Sequence, residues 1–453
     1  MESFSFSKNP QYIFLITVDA LRADHVGCIG GSNLTPNIDR IAKKSLLFTR
    51  AFTNGPGTNQ SFPALMTSTY FLMNDGFRLS PNFITLAEIL RKNGFKTVAF
   101  HSNPFLSKTF GWDRGFNAFY DFINELKSPS AFITSKQGAG AMNKLIRFIA
   151  TQLWGNRNVR RKELLRKVYY KFSGLEIPYM EGKELNKKIF NWIDNNSDAK
   201  FFLWMHYMDP HSPYIPPDEF CDGFSNRREA FEFYSSVDFT NISDAEIKKL
   251  KGLYKGEVRY TDFCIGEFIE FLEARGLKKN SVIFITSDHG EAFMEHDRFG
   301  HKPDILYNEV LHVPLLISGL DIILEIDFPV QLLDIPPTIL DVLKIKRPKT
   351  FLGDSVISLI KKNKKHRLIF SESAKPDLIN LKYDMNKKAI SCIKNGWKLI
   401  INELLGTKEL YNIKYDFNEK INLIINEPNL YLELTETIKK HYYIEKKIEN
   451  SYN

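Results

Sequence analysis

Short apolar runs alternate with amphipathic stretches along most of the chain. The first run, YIFLITV at residues 12–18, is uninterrupted and rich in β-branched side chains, which is typical of a strand buried on both faces of a parallel sheet. The same character recurs at residues 97–100, 201–205, 281–285 and 313–317. Helical periodicity separates these runs, at residues 35–45, 85–93, 182–195 and 245–275. The alternation predicts an α/β fold with a mostly parallel central sheet flanked by helices.

Two regions depart from this alternation. After about residue 360 the pattern changes to Lys- and Asn-rich strands and a final helix, which predicts a core domain over residues 1–360 and a smaller C-terminal subdomain over 361–453. Within the core domain, residues 128–185 are predicted to form a basic helical insertion. Its segment 144–171 carries nine Lys or Arg and one acid, Glu163. Such a segment is either a solvated helix packed on the core or a surface for an anionic polymer or a membrane.

Composition narrows the class of protein without deciding its function. The chain has 453 residues, is 43% hydrophobic and has a formal net charge of +8, so disordered and fibrous classes are excluded. The four cysteines form no CxxC pair, which argues against a disulfide framework. No signal-peptide pattern opens the chain, and no apolar run reaches the roughly 18 residues of a membrane span. We therefore expect a cytoplasmic protein without a transmembrane segment or a nucleic-acid partner.

Polar side chains follow four of the predicted strands at the point where each strand ends. In parallel sheets the carboxyl ends of the strands meet at one edge, where ligands bind. The residues that this places at the edge are Asp19, Asp24, His101, Asn103, His206, Asp209, His211, Asp288, His289 and Glu291. Four strands that all end in acidic, imidazole or amide groups indicate a functional site there.

Asp19, Asp288 and His289 are the candidates for holding a metal ion. Asp19 directly follows a buried strand, where an unpaired carboxylate is costly unless a cation compensates it, and the pair Asp288–His289 lies at the end of another. Oxygen and nitrogen donors suit a divalent ion such as Mn, Zn, Mg or Ca, and the absence of cysteine excludes a thiolate site. We predict one divalent ion, with a second ion as the alternative.

Residues 54–68, NGPGTNQSFPALMTS, form a glycine-rich turn that leads into a buried helix. Thr58 and Ser61 lie near the predicted N-terminus of that helix, where free backbone N–H groups attract an anion. A hydroxyl group in this position is either a nucleophile activated by a metal or a helix N-cap. The residues alone leave both interpretations open.

Five segments in order give the chain a specific resemblance. They are VDALRADH at 18–25, GPGTNQSFPALMTS at 55–68, HYMDPHSPY at 206–214, SDHGE at 287–291 with FGH at 299–301, and ELYN at 409–412 with Asp416, Glu419 and Asn422. Together they resemble the sulfatase branch of the alkaline phosphatase superfamily over about residues 12–425. The resemblance implies an alkaline-phosphatase-like core with a metal-dependent active site.

The resemblance also implies individual roles. Asp19, Asp288 and His289 match the family's metal ligands. Thr58 falls at the position of the nucleophile, which also binds the metal. His211 matches the histidine that contacts the ester oxygens.

The resemblance implies further roles for residues that match the family's motifs less directly. His301 lies where many relatives carry a lysine near the leaving group. Asn103 falls near an oxyanion-contacting position. Asp209 and Ser61 are assigned to the surroundings of the substrate, and Asp209 is also a candidate for a second metal site.

The chain departs from the family at the nucleophile. Sulfatases convert the first residue of a C/S-x-P-x-R motif to formylglycine, whereas residues 58–62 here read TNQSF. Threonine cannot become formylglycine, and threonine nucleophiles in the superfamily are typical of phosphodiesterases and phosphotransferases. Ala20 also replaces a second metal aspartate, which weakens a calcium site and favours Mn or Zn.

We therefore predict a metal-dependent hydrolase or transferase of phosphate esters that uses Thr58. Its substrate is an anionic ester, carried on a glycan or a lipid. One alternative is a sulfuric ester hydrolase that works without formylglycine. The other is a non-catalytic protein that binds anionic glycans. The sequence does not predict an oligomeric state.

Overall fold

The computed structural model describes residues 10–74, 76–123, 177–377 and 382–452. The basic segment 144–171, and with it most of the predicted insertion 128–185, lies outside the described residues. The prediction of a membrane or polymer surface there stays a prediction.

A nine-stranded sheet forms the centre of the larger part of the chain. Its strands run in the spatial order β10-β2-β9-β6-β1-β5-β3-β4, and β11 pairs with β2. Their bounds are β1 Tyr12–Val18, β2 Ser45–Phe52, β3 Lys96–Phe100, β4 Ala118–Tyr120, β5 Phe201–Tyr207, β6 Ser281–Ser287, β9 His312–Ser318, β10 Leu324–Ile326 and β11 Val330–Gln331. A separate short hairpin joins β7 Ala292–Phe293 to β8 Phe299–Gly300.

Helices cover both faces of this sheet. They are α1 Gly27–Gly30, α2 Pro36–Ala42, α3 Thr58–Thr67, α4 Leu86–Lys92, α5 Gly182–Asp194, α6 Arg227–Ser236, α7 Asp244–Ala274, α8 Asn308–Leu311, α9 Ile335–Val342 and α10 Val356–Lys361. Along β1, Ile13 and Leu15 pack into one core while Phe14 and Ile16 pack into the core on the opposite face. Burial on both sides explains why the run consists mainly of apolar side chains. The predicted α/β fold is confirmed.

One strand differs from its prediction. Residues 313–317 were expected to form a parallel strand, but β9 runs antiparallel to both β2 and β6. All other pairs in the nine-stranded sheet are parallel. A strand buried on both faces is uniformly apolar whichever way it runs, so its pattern carries no information about direction.

A four-stranded antiparallel sheet and a long helix form the C-terminal region. The strands β12 Leu368–Asp377, β13 Lys382–Lys394, β14 Trp397–Asn402 and β15 Thr407–Asn412 pair in chain order, and α11 Pro428–Tyr452 packs against them. A buried ion pair, Lys398 Nζ to Glu419 Oε1 at 2.6 Å, lies beside Asn308 of the larger part. The Tyr307 hydroxyl donates to Glu409 at 2.6 Å. These contacts join the C-terminal region to the core.

Within the described ranges, no helix combines the length and the apolar character that crossing a membrane requires. The four cysteines are all free thiols, which confirms that the chain has no disulfide framework.

Candidate active site

Three neighbouring strands end level with one another at one edge of the sheet. In the parallel register, Val18 of β1 lies opposite Tyr207 of β5 on one side and Ser287 of β6 on the other. The residues that follow, Asp19 and Asp288, therefore leave the sheet at the same point. This confirms the expectation that strand ends bring these side chains together.

Asp19, Asp288 and His289 form a fully buried cluster whose ligand atoms all lie within 4.8 Å of one another. His289 Nε2 is 3.5 Å from Asp19 Oδ1 and 3.5 Å from Asp288 Oδ2. Its Nδ1 lies 2.9 Å from the backbone oxygen of Gly290, to which it donates, so the Nε2 lone pair is free to bind an ion.

The two buried carboxylates of this cluster need a cation to compensate their negative charge. Burial opposes ionisation of Asp19, but His211, His206 and His289 together hold its pKa well below the ordinary value. Burial and the neighbouring Asp19 charge raise the pKa of Asp288 well above the ordinary value. Two adjacent buried carboxylates cannot both be ionised without compensation. Asp19 Oδ1 and Asp288 Oδ2 have no hydrogen-bond partner, so the donor set fits a divalent ion.

Thr58 brings a hydroxyl group to the same point. It is the first residue of α3, and its Oγ1 lies 3.4 Å from Asp19 Oδ2 and 3.4 Å from His289 Nε2. Asn103, which follows β3, places its Nδ2 at 3.2 Å from Asp19 Oδ2 and 3.5 Å from Thr58 Oγ1. The Asn103 Oδ1 atom accepts from Phe105 N, which fixes the amide with its donor toward the cluster. Thr58 and Asn103 thus join the cluster as predicted.

The glycine turn before Thr58 is set by close packing. A Cβ atom on Gly55 would lie 2.3 Å from Gln60 Cβ, and one on Gly57 would lie 2.9 Å from Gln60 Oε1. At Gly55 the close atoms are the Cβ and backbone of Gln60, so a side chain there would push the turn away from α3, whereas at Gly57 the Gln60 side chain could move aside. Gly55 therefore holds the free N–H groups of the helix N-terminus next to the Thr58 hydroxyl.

His211 and His301 line the accessible side of the cluster. The His301 ring centroid is 4.3 Å from that of His289 and 5.0 Å from that of His211. His301 Nδ1 lies 3.0 Å from the buried Glu291 Oε1. Burial lowers the pKa of His301, but the Glu291 carboxylate outweighs it and raises the pKa above the ordinary value. Burial lowers the pKa of His211, whose Nδ1 is held by the backbone oxygen of Ser212 at 2.6 Å.

Glu291, placed by the sequence at this edge, meets the second histidine of the site. Its carboxylate contacts His301 rather than the neighbouring His289, and it accepts from the Tyr214 hydroxyl at 2.8 Å. The His289 ring is oriented by its hydrogen bond to the backbone oxygen of Gly290. Adjacent residues in sequence leave a strand end in different directions, and only their packing decides which histidine the carboxylate meets.

Asp209 and Ser61 make other contacts. Asp209 Oδ1 accepts from Gly182 N at 3.0 Å, and burial raises its pKa to about 7. Ser61 Oγ donates to the backbone oxygen of Thr58 at 3.1 Å. Within the described residues, neither side chain forms a hydrogen bond or ion pair with Asp19, Asp288 or His289. Their role in substrate binding stays a prediction.

Two contacts at the site were not predicted from the sequence. His206 Nε2 lies 3.2 Å from Asp19 Oδ2, and the Tyr383 hydroxyl of β13 lies 3.3 Å from Asn59 Nδ2 and 3.4 Å from Gln60 Nε2. The position of His206 at the end of β5 was a signal for the first. No signal marks Tyr383, because it comes from a sheet more than 300 residues away in sequence.

Comparison with known proteins identifies the family of the chain. The model of the family described as Sulfatase matches residues 11–345. Arylsulfatase K of Mus musculus is 26% identical over 398 residues, which cover 81% of this chain and 66% of that protein. The chain thus spans just under two thirds of the length of the mouse enzyme.

Solved structures share the fold. The phosphonate monoester hydrolase of Agrobacterium radiobacter has a TM-score of 0.68 at 17% identity and covers 96% of either chain. BT4656 in complex with its substrate D-glucosamine-2-N,6-O-disulfate has a TM-score of 0.67 at 16% identity, over 97% of this chain and 99% of that chain. The chain belongs to the sulfatase family.

Proposed function

We propose that this protein hydrolyses phosphate-type esters, with Thr58 as the nucleophile. The observation that carries the proposal is the position of the Thr58 hydroxyl, 3.4 Å from both Asp19 Oδ2 and His289 Nε2 at the N-terminus of α3. A nucleophile in this family must face the metal ligands and the substrate at once. Thr58 is 8% exposed, whereas Asp19, Asp288 and His289 are fully buried behind it.

A divalent ion bound by Asp19, Asp288 and His289 would lower the pKa of the Thr58 hydroxyl and neutralise charge on the substrate oxygens. The imidazole ligand and the loss of a second aspartate at Ala20 support Mn or Zn over Ca. The number of ions is proposed to be one at this site.

The residues around Thr58 supply the remaining chemistry. Thr58 Oγ attacks phosphorus while the bond from phosphorus to the leaving oxygen breaks. Asn103 Nδ2 and the free N–H groups at the start of α3 donate to the non-bridging oxygens. His301 gives its Nε2 proton to the leaving oxygen, since the Glu291 carboxylate stabilises the protonated ring. Neutral His211 offers its Nε2 lone pair to accept the proton that the Thr58 hydroxyl releases. Water then attacks phosphorus and gives a proton to His301, which the first step left neutral. The bond from phosphorus to Thr58 breaks as His211 returns its proton to the Thr58 oxygen, which regenerates the hydroxyl.

The leaving group is proposed to be part of a glycan or lipid. BT4656, a structural neighbour, is solved with a disulfated glucosamine as its substrate, which supports an anionic sugar ester for this chain. The phosphonate monoester hydrolase among the neighbours supports phosphorus chemistry.

A sulfate ester is the second candidate. It is favoured by the likeness to arylsulfatase K, which aligns with 81% of this chain. It is opposed by Thr58, because a threonine side chain has no route to a formylglycine hydrate. A purely binding role is opposed by the presence of Asp19, Asp288, His289 and the Thr58 hydroxyl.

The test is to compare rates on four aryl substrates: a phosphodiester, a phosphonate monoester, a phosphate monoester and a sulfate. We expect the phosphodiester or the phosphonate to be fastest. Thr58→Ala should lower that rate by about 10³-fold or more, and Thr58→Ser should keep a measurable part of it. Thr67→Ala is the matched control, since it removes a threonine hydroxyl from the far end of the same helix.

Rapid quenching followed by mass spectrometry of the peptide containing Thr58 should detect one added group, which is an esterified phosphoryl group from the phosphodiester or a phosphonyl group from the phosphonate. If Thr58→Ala turned over at the wild-type rate while correctly folded, the assignment of the nucleophile would be wrong. A fastest rate on the aryl sulfate would instead establish the second candidate.

A further inference from the structure

A second buried cluster of metal-binding side chains lies in the C-terminal region. Glu372 comes from β12, while His441 and Glu445 come from α11, and their ligand atoms all lie within 4.8 Å of one another. His441 and Glu445 are four residues apart and therefore share one face of the helix. All three side chains are buried, with Glu372 at 0% and Glu445 at 5% exposure.

The contacts within the cluster leave one carboxylate oxygen unpaired. Glu372 Oε1 lies 2.6 Å from His441 Nε2, and Glu372 Oε2 accepts from Leu72 N at 3.1 Å. Glu445 Oε1 lies 3.5 Å from the same His441 Nε2 and has no hydrogen-bond partner. A buried carboxylate oxygen without a partner is costly, so its orientation toward the cluster points to a cation.

The His441 ring is held in its orientation by aromatic neighbours. It stacks on Phe370 at 3.9 Å between centroids and meets Tyr70 edge-on at 4.6 Å. These contacts keep Nε2 directed at the two carboxylates. A preoriented imidazole reduces the conformational cost of binding an ion.

The active-site cluster shows the same pattern. It too combines two buried carboxylates and one imidazole within 4.8 Å, with carboxylate oxygens that have no partner. We propose that Glu372, His441 and Glu445 bind a second divalent cation of the zinc type. The imidazole ligand disfavours Mg and Ca and suits zinc, for which a water molecule would complete four-coordination.

The bound ion links α11 to β12. Because β12 hydrogen-bonds to the loop before Thr58, the ion also connects α11 to that loop. Glu372 N donates to Asn54 O at 2.8 Å, and Ser371 Oγ donates to Thr53 O at 2.5 Å. The role of the ion is therefore structural, and the site stands independently of the function proposed for Thr58.

The experiment counts zinc in the full-length protein after loading with Zn²⁺ and removal of the free ion. We expect about two equivalents in the wild type and about one in Glu445→Gln. Glu436→Gln is the matched control, because Glu436 lies on the same helix, is exposed and pairs with Lys439. It should retain as much zinc as the wild type.

A second measurement uses the Asp288→Asn variant, which lacks a ligand of the active-site cluster. Added Zn²⁺ should raise its thermal unfolding midpoint, and added Co²⁺ should give visible absorption bands. Both effects should vanish in the double variant with Glu445→Gln.

Equal zinc content in Glu445→Gln and the wild type would overturn the proposal, and would identify Glu445 as a protonated partner of Glu372. If Glu445→Gln failed to fold, the absence of Co²⁺ bands in Asp288→Asn would overturn it equally. Failure of Thr58 as the nucleophile would leave the zinc count unchanged, so the two proposals fail separately.

Discussion

His206 Nε2 lies 3.2 Å from Asp19 Oδ2, and both side chains are fully buried. The other ring nitrogen, Nδ1, lies 2.9 Å from Thr17 Oγ1, which accepts from Trp204 Nε1 at 3.0 Å. Because the Asp19 carboxylate only accepts, Nε2 carries the hydrogen and Nδ1 accepts from the Thr17 hydroxyl. A chain of hydrogen bonds from β1 and β5 therefore orients the Asp19 carboxylate toward the metal cluster.

Replacing His206 by leucine should weaken metal binding. The substitution removes the N–H group that orients Asp19, and loss of such an outer partner costs about 10- to 100-fold in metal affinity. Titration of the metal-free protein with Mn²⁺ or Zn²⁺ measures the change. Thr17→Val, which removes only the hydroxyl behind the ring, should have a smaller effect. An unchanged affinity in His206→Leu would show that Asp19 needs no orientation by the ring.

Asn103→Ala should slow turnover without removing the metal. Its Nδ2 donor lies 3.2 Å from Asp19 Oδ2 and 3.5 Å from Thr58 Oγ1, where substrate oxygens must bind. Loss of one such donor typically lowers kcat by about 10²- to 10³-fold. Steady-state kinetics and a metal count on the same preparation separate the two effects. A rise in KM alone, with kcat intact, would assign Asn103 to substrate binding in the ground state.

Removal of the metal should abolish turnover. The identity of the ions that restore turnover tests which ligands bind the metal. One imidazole and two carboxylates, with Ala20 in place of a further acid, favour Mn²⁺ or Zn²⁺ over Ca²⁺. We expect chelation followed by dialysis to remove activity and Mn²⁺ or Zn²⁺ to restore it more fully than Ca²⁺. Best reactivation by Ca²⁺ would contradict this and imply further oxygen ligands.

His296 should make stability depend on pH. Its Nδ1 lies 2.7 Å from Glu309 Oε1 and its Nε2 lies 3.1 Å from Glu419 O, so both nitrogens face acceptors and the charged ring satisfies both. Burial lowers the pKa of His296, but the Glu309 contact outweighs it and raises the pKa above 6.5. The stabilisation is therefore complete below about pH 6.5 and is lost as pH rises through the raised folded-state pKa.

Denaturant unfolding of His296→Phe tests this, because phenylalanine keeps the stacking on Tyr307, whose centroid lies 3.7 Å from that of His296. We expect a loss of about 1–3 kcal/mol near pH 6 that shrinks toward pH 9. His366→Phe, at an exposed position, should show no such trend. A loss independent of pH would mean that His296 acts only through packing.

The sequence by itself determined five strands of the central sheet and the centre of the site. Apolar runs marked β1, β5 and β6, since a strand buried on both faces is made mainly of apolar side chains. Asp19 and the pair Asp288–His289 could be found because they lie at the ends of such strands, and parallel strands end at a common edge.

Only the tertiary structure decided which side chains meet across the chain. The direction of β9, the contact of Glu291 with His301 and the contact of His206 with Asp19 all depend on packing that no local pattern records. The cluster of Glu372 with His441 joins residues 69 apart on a strand and a helix. The hydrophobic periodicity of the sequence indicates which residues are buried. Which side chain a buried residue contacts depends on how separate elements pack together.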